Sequence, residues 1–504
     1  MKNIAFNRID CFGIKTVKVV LYIVLFAFLA FDLSNSFKQF CVARLDGDIL
    51  ESTLLLPAVQ KTMDDPTGIK TIINNDKHSI PNRFFSHYFL HKTMSELPLF
   101  LQKFYEPIDS VYLSGAIAKL AMQMLLLFLL AVIVIGKCNP FSLNFIIASV
   151  FFTSFFQTNG RALANEIGII HGSISYSFFY PMPLVFLLSY YVPLFLELLH
   201  SKKMKMNLVL GILWAIFAII SCFSGPLNSP IILITNLILF VYLFIKNWRT
   251  NENKSFSLKC VQTFKNIPRR VYLFLLPIAF LSLYSIFLGT FNSDYSDMQL
   301  SLKEMYAVLP KGIWNSFFTS VSFSMILFLL LANYLIIRLK YKDNPQSEKI
   351  VSLYKFLILF GFLYVLLLPL GGYRPYRPLI LRFDTILPIT ILSMITICYG
   401  FLFILKRFLS EKWTYYLKTI YPLLFLFIVL FFTFRDNYVV QNECERASLY
   451  LIAQSKEEVV VLENNCAVVG WGTFSDPEES THYGELLYFW KITDTKKRWY
   501  NLPE

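Results

Sequence analysis

Two short stretches of this chain hold residue types that could do chemistry together. The first is ARLDGDILES, residues 43–52. Asp46 and Asp48 flank Gly47, and a glycine lets the backbone turn sharply enough to bring both carboxylates to one small site. Such a pair can coordinate a divalent cation, Mg2+ or Mn2+, through oxygen, or supply a general base for a hydroxyl. Asp-Gly is also a common turn dipeptide, so a solvated turn is the competing reading. Glu51 could support either carboxylate.

The second is GGYRPYRPLILRFDTILP, residues 371–388. Pro375 and Pro378 disfavour a regular helix and favour polyproline-like backbone. Three residues per turn would then put Arg374 and Arg377 on one side, with Tyr373 and Tyr376 also in register. Two guanidiniums presented together suit a phosphate or diphosphate, which they can grip bidentately. Arg382 and Asp384 follow, and Asp384 is placed to cap the next helix. Snorkelling of the arginines to lipid headgroups is the alternative.

Other stretches carry less. FQTNGRALANEIGIIHG offers Asn159, Arg161, Asn165, Glu166 and His171 as cavity lining or as a wet hairpin, with Arg161 a further candidate for phosphate. SGPLNSP reads as a tight turn between helices whose Asn228 could touch substrate, and Asp294 and Asp297 read as solvated loop charge. His87 and His91 share a face if their segment is helical. Zinc needs a third ligand and none lies near, so histidines at a membrane interface are the expectation.

The elements that must position these residues are membrane spans. The chain has 504 residues, 56% hydrophobic and 17% aromatic. Eleven apolar runs are each long enough to approach the roughly 30 Å of a hydrocarbon core. They lie near 17–33, 115–135, 141–157, 177–199, 207–224, 229–246, 271–290, 313–337, 350–370, 384–405 and 418–434. None alternates apolar and polar residues as barrel strands do. The expectation is an all-α polytopic membrane protein.

Basic charge sets the orientation. Lys2, Arg8, Lys15 and Lys18 precede the first span, and HSKKMKMN, KNWRTNENKSFSLKCVQTFKNIPRR, RLKYKDNPQSEK and KRFLSEKWTYYLK fall on the same face by alternation. That face is cytoplasmic by the positive-inside bias. The net charge of +13 thus reflects topology and not nucleic-acid binding. The first span lacks a small-residue cleavage site and reads as a retained anchor.

Four parts result: an inner N-terminus with the first span (1–33), an outer loop (34–114), a membrane body (115–434) and an outer tail (435–504). In the loop, RFFSHYFLHKTM and ELPLFLQKFYE read as two interfacial helices. In the tail, EEVVVLEN and CAVVGWG read as short strands. Cys444 and Cys466 stand on the oxidising face, either as free thiols or as a bridge worth roughly 3 kcal/mol.

The arrangement resembles the C-type membrane glycosyltransferases (GT-C), with one span, a large outer loop carrying acidic residues near its start, many further spans and an outer C-terminal part. The matching acidic motif here is LDGD, with Asp46 in the place of the family's base and Asp48 as partner or metal ligand. The resemblance covers the plan of the whole chain. No WWDYG-like motif is present, which speaks against the oligosaccharyltransferase branch. It implies a bacterial inner-membrane enzyme of cell-envelope glycan synthesis, moving a sugar from a polyprenyl-phosphate donor to a glycan, lipid or protein acceptor. In that scheme Asp46 deprotonates or orients the acceptor, and Arg374, Arg377 and Arg382 neutralise the leaving phosphate, with Tyr373 and Tyr376 at the lipid–sugar boundary. A polymerase or ligase on lipid-diphosphate glycans would share the arginines without needing the aspartates. A transporter would carry charge in mid-span, where these spans have almost none.

Overall fold

The computed structural model describes residues 2–156, 167–203, 207–249, 256–293, 300–374, 377–410, 415–434 and 441–502. Among them, eight helices are long and apolar enough to cross a membrane: Thr16–Cys41, Pro107–Ile135, Ile174–His200, Asn228–Arg249, Arg269–Gly289, Val321–Lys340, Pro345–Gly371 and Leu387–Phe408. Leu143–Phe156, Leu208–Cys222 and Thr419–Phe434 are also apolar but shorter. A helix of 15 residues such as Leu208–Cys222 reaches only about 22 Å at 1.5 Å per residue. The chain is therefore a multi-pass α-helical membrane protein.

Three boundaries differ from expectation, each for a local reason. The expected 313–337 span is broken between Leu302–Phe317 and Val321–Lys340. Ser301 opens the first with a capping box to Glu304, and Ser320 caps the second by accepting from the Phe323 amide. The second span starts at Pro107, since proline suits a first helical turn. The first helix continues to Cys41, beyond the expected end at 33. Asp32, already within the expected span, is fully buried in it and accepts from Thr153 Oγ1 at 2.5 Å. Lys119 is likewise buried within Pro107–Ile135. These two residues correct the reading of spans almost free of charge.

Leu387–Phe408 forms the centre and is almost wholly buried, packed by Val321–Lys340, Pro345–Leu367 and Pro107–Ile135. Thr16–Cys41 is peripheral and leaves most of its apolar surface outward, as lipid contact requires. Gly136 ends Pro107–Ile135 at φ 73, and a Cβ there would meet the His200 ring at 2.5 Å. Only glycine meets both demands.

The two expected interfacial helices are one, Phe84–Leu101. His87 and His91 fasten it to the short helix Asp48–Thr53: His87 Nδ1 meets Ser52 Oγ at 2.8 Å, and His91 Nδ1 donates to the Ser52 carbonyl at 3.0 Å. Burial holds the His87 imidazole well below its usual pKa, so it stays neutral.

The C-terminal residues fold against this segment. Val459–Leu462 is a strand, but CAVVGWG is not: its Val469 sits at φ 51 and gives its amide to the Glu445 carboxylate instead of a ladder. The true partner is Arg498–Asn501, paired in parallel. Cys444 and Cys466 form a disulfide with Cα atoms 6.1 Å apart. Glu445, fully buried, also accepts from the Leu45 amide at 3.0 Å and from Tyr112 at 2.8 Å. Trp490 is buried with its indole N–H on the Met94 carbonyl at 2.8 Å. These bonds tie the last 60 or so residues to the backbone next to Asp46.

Candidate functional site

Asp46 is held by the turn that opens Ile174–Phe179. Its Oδ2 accepts from Ser173 Oγ at 2.7 Å and from the Ser175 amide at 3.1 Å, while its Oδ1, equally buried, has no partner. Lys119 fixes the same turn by donating to the Gly172 carbonyl, and its ammonium lies within electrostatic reach of Asp46. One oxygen anchored and one idle is the geometry a general base needs before its substrate arrives.

Asp48 is only half-buried and begins the helix Asp48–Thr53, with Gly47 as its N-cap. Its Oδ1 accepts from the Trp471 indole at 2.9 Å. The indole lies on Gly47, where a Cβ would come within 2.8 Å of Cδ1. Burial chiefly, and then the Asp46 charge, push the Asp48 carboxyl up to about 6, against the pull of the indole N–H. Glu51 is exposed one turn away.

The arginine segment does not form a polyproline rung. The Arg377 amide donates to the Arg374 carbonyl and the Ile380 amide to that of Arg377, both at 2.8 Å. Consecutive turns of this kind are incompatible with polyproline II, which has no internal hydrogen bonds. Tyr373 and Arg374 are half-buried ahead of the turns, and Tyr376 and Arg161 lie outside the described residues, as do Asn159, Asn165, Glu166, Asp294 and Asp297.

Asp384 does not cap the next helix, which begins at Leu387. It is buried as the hub of an ion triad. Arg382 binds its Oδ2 through Nε at 2.9 Å and through Nη2, and Arg377 Nη2 reaches the same oxygen at 3.2 Å. Arg377 also donates to the Tyr180 hydroxyl at 2.6 Å. Burial opposes the charge on Asp384, but the two guanidiniums outweigh it and hold the carboxyl below its usual range. Two cations on one anion leave a net +1, so Arg377, Arg382 and Asp384 act as a pre-ordered group in place of the expected Arg374–Arg377 pair.

The acidic and basic groups meet through residues that sequence reading missed. The Tyr176 ring lies 5.5 Å from that of Trp471 and under the Arg382 guanidinium at 5.1 Å. His171 stacks on Phe383 at 5.2 Å and accepts the Ser173 amide on Nδ1 at 2.9 Å. Burial, with Lys119 and Arg382 nearby, lowers its pKa to about 3, so the ring is neutral. The 171–180 turn therefore joins Asp46 and Asp48 to the triad.

Beside Tyr180 a pocket of about 420 Å3, counted to its open mouth, is lined by Arg83, Tyr180, Asn228 and Asp384 and by apolar side chains including Phe179, Leu184 and Leu387. Asn228 both lines it and donates to the Ser221 carbonyl at 3.0 Å.

A divalent cation would find Asp46 Oδ1 and Asp48 as oxygen donors. No group of three or more His, Cys, Asp or Glu gathers as a ligand set among the described residues. Mg2+ accepts so few protein ligands where water and phosphate complete its shell.

No protein-family model matches the chain, and no curated protein matches it.

Proposed function

We propose that the chain is a membrane glycosyltransferase that moves a sugar from a polyprenyl-phosphate donor to a glycan, lipid or protein acceptor at the outer face of a bacterial cytoplasmic membrane. The single observation that carries this reading is the line of contacts from Asp48 through Trp471 and Tyr176 to Arg382, with Asp46 held by the amide of Ser175, the residue before Tyr176. One short segment thus links a candidate base and a cationic group, the two functions that displacement of a phosphate demands. In this reading Asp46 Oδ1 takes the acceptor's hydroxyl proton. The acceptor oxygen bonds to the anomeric carbon as its bond to phosphate oxygen breaks, and Arg377 and Arg382 stabilise the developing charge. Mg2+ or Mn2+, if bound at the carboxylates, would add positive charge there. In this reading the chain crosses eleven times from an inner N-terminus, as the positive-inside bias suggests, and the site would then lie outside.

A second reading, a lipid or polysaccharide transporter, draws on Asp32, because a carboxylate buried in a span is costly and marks function. The test is to offer purified protein in liposomes a polyprenyl-phosphate-linked sugar and, separately, a polyprenyl-diphosphate-linked glycan. The glycosyltransferase reading expects release of polyprenyl phosphate from the first. Consumption of the second alone indicates a polymerase or ligase, and movement of either lipid across the bilayer without turnover indicates transport.

A further inference from the structure

We propose that the pocket beside Tyr180 holds the sugar-phosphate head of the lipid donor, with Arg83 as its phosphate ligand. This rests on the glycosyltransferase reading and names a place and a residue within it. Arg83 belongs to neither stretch that first pointed to chemistry, and it reaches the pocket from the residue just before Phe84–Leu101. Its guanidinium lies over the Phe179 ring at 4.9 Å, and no carboxylate pairs with it among the described residues. A cation resting on an aromatic face keeps its N–H donors for another acceptor. Gly225 lies beside it at φ +136, a conformation that side chains rarely adopt.

The lining also includes Asp384, whose Oδ2 serves the two triad arginines while its buried Oδ1 has no hydrogen-bond partner. An idle acceptor and a donor-rich cation in one pocket suit a ligand that has hydroxyls and an anionic group together. Counting Arg377 and Arg382, which bind Asp384 without lining the pocket, the charged groups sum to +2. Phe179, Leu184, Leu227, Ile231 and Leu387 supply the apolar wall that a hydrocarbon chain needs. Arg83 also lies within electrostatic reach of Asp48.

Full-length protein in nanodiscs, titrated with polyprenyl phosphate, tests this. Wild type should bind it, should bind polyprenol more weakly, and should release it to a sugar-linked polyprenyl phosphate more readily than to phosphatidic acid. Arg83→Gln should lose about tenfold to a hundredfold in affinity for the phosphate while its affinity for polyprenol stays put. Leu227→Trp, which narrows the pocket from the half-exposed turn, should weaken both. If Arg83→Gln binds polyprenyl phosphate as wild type does, the assignment of Arg83 is wrong and the glycosyltransferase reading survives. If phosphatidic acid competes equally, the pocket is a structural lipid site. If wild type binds no polyprenyl phosphate, the reading beneath the inference falls with it.

Discussion

Replacing Asp384 by asparagine should destabilise the protein more than any other single charge removal near the site. The change keeps the shape and removes the one anion that serves two guanidiniums, of which Arg382 is only 2% exposed. At least three charge-assisted hydrogen bonds end on its Oδ2. Breaking a buried ion group from one side costs about 3–5 kcal/mol, because the remaining charge stays buried without compensation. Adding Arg382→Gln should recover part of this, with a coupling of about 1–3 kcal/mol. Reversible unfolding in mixed micelles measures both variants. The wild-type triad is present above the ordinary carboxylate range and is lost as pH falls through the depressed pKa of Asp384, so the single variant should lack that acid-side loss. An Asp384→Asn protein that unfolds like wild type, or a double variant whose cost is the plain sum, would refute the triad as the element ordering this segment.

Further expectations concern the partners of the acidic pair. Trp471→Phe removes the indole donor that opposes the upward shift of Asp48 to about 6, so any acid limb of turnover that follows this carboxyl should move to higher pH in the variant. The raised pKa has the reverse effect on stability: the contribution of Asp48 is greatest below pH 4 and is lost as pH rises through about 6. Glu445→Gln weakens the bonds to the Leu45 and Val469 amides and should speed hydrogen exchange at both positions, with about 1–3 kcal/mol lost in stability. Trp490→Ala should cost about 3–5 kcal/mol and expose the C-terminal residues to protease while the membrane helices stay resistant.

The helical plan was legible because hydrocarbon length imposes runs of fixed size, and all eleven expected runs contain apolar helices. Helix ends were not, because Ser320 acts as a cap only once Phe323 turns back to it. Asp46 was readable as a candidate from its type and place. What holds it was not: Ser173 and Ser175 lie in a stretch with no distinctive spacing, and Lys119 looks like a stray charge until Gly172 is seen beside it. Trp471 and Asp48 are 423 residues apart, beyond the reach of any local pattern. The arginines were singled out from their type and place, but two prolines suggest polyproline while the carbonyls of Arg374 and Arg377 actually close turns. Asp384 was discounted as a cap because nothing local shows that two guanidiniums converge on it.

The most direct measurement is turnover of a polyprenyl-phosphate-linked sugar by wild type and by Asp46→Asn, with donor binding measured on the same samples. The account expects wild type to release polyprenyl phosphate and the variant to bind the donor normally while turning over about 100-fold to 10,000-fold more slowly, as loss of a general base implies. Equal turnover by the two proteins would contradict the assignment of Asp46, and no turnover by wild type with any acceptor offered would contradict the glycosyltransferase itself.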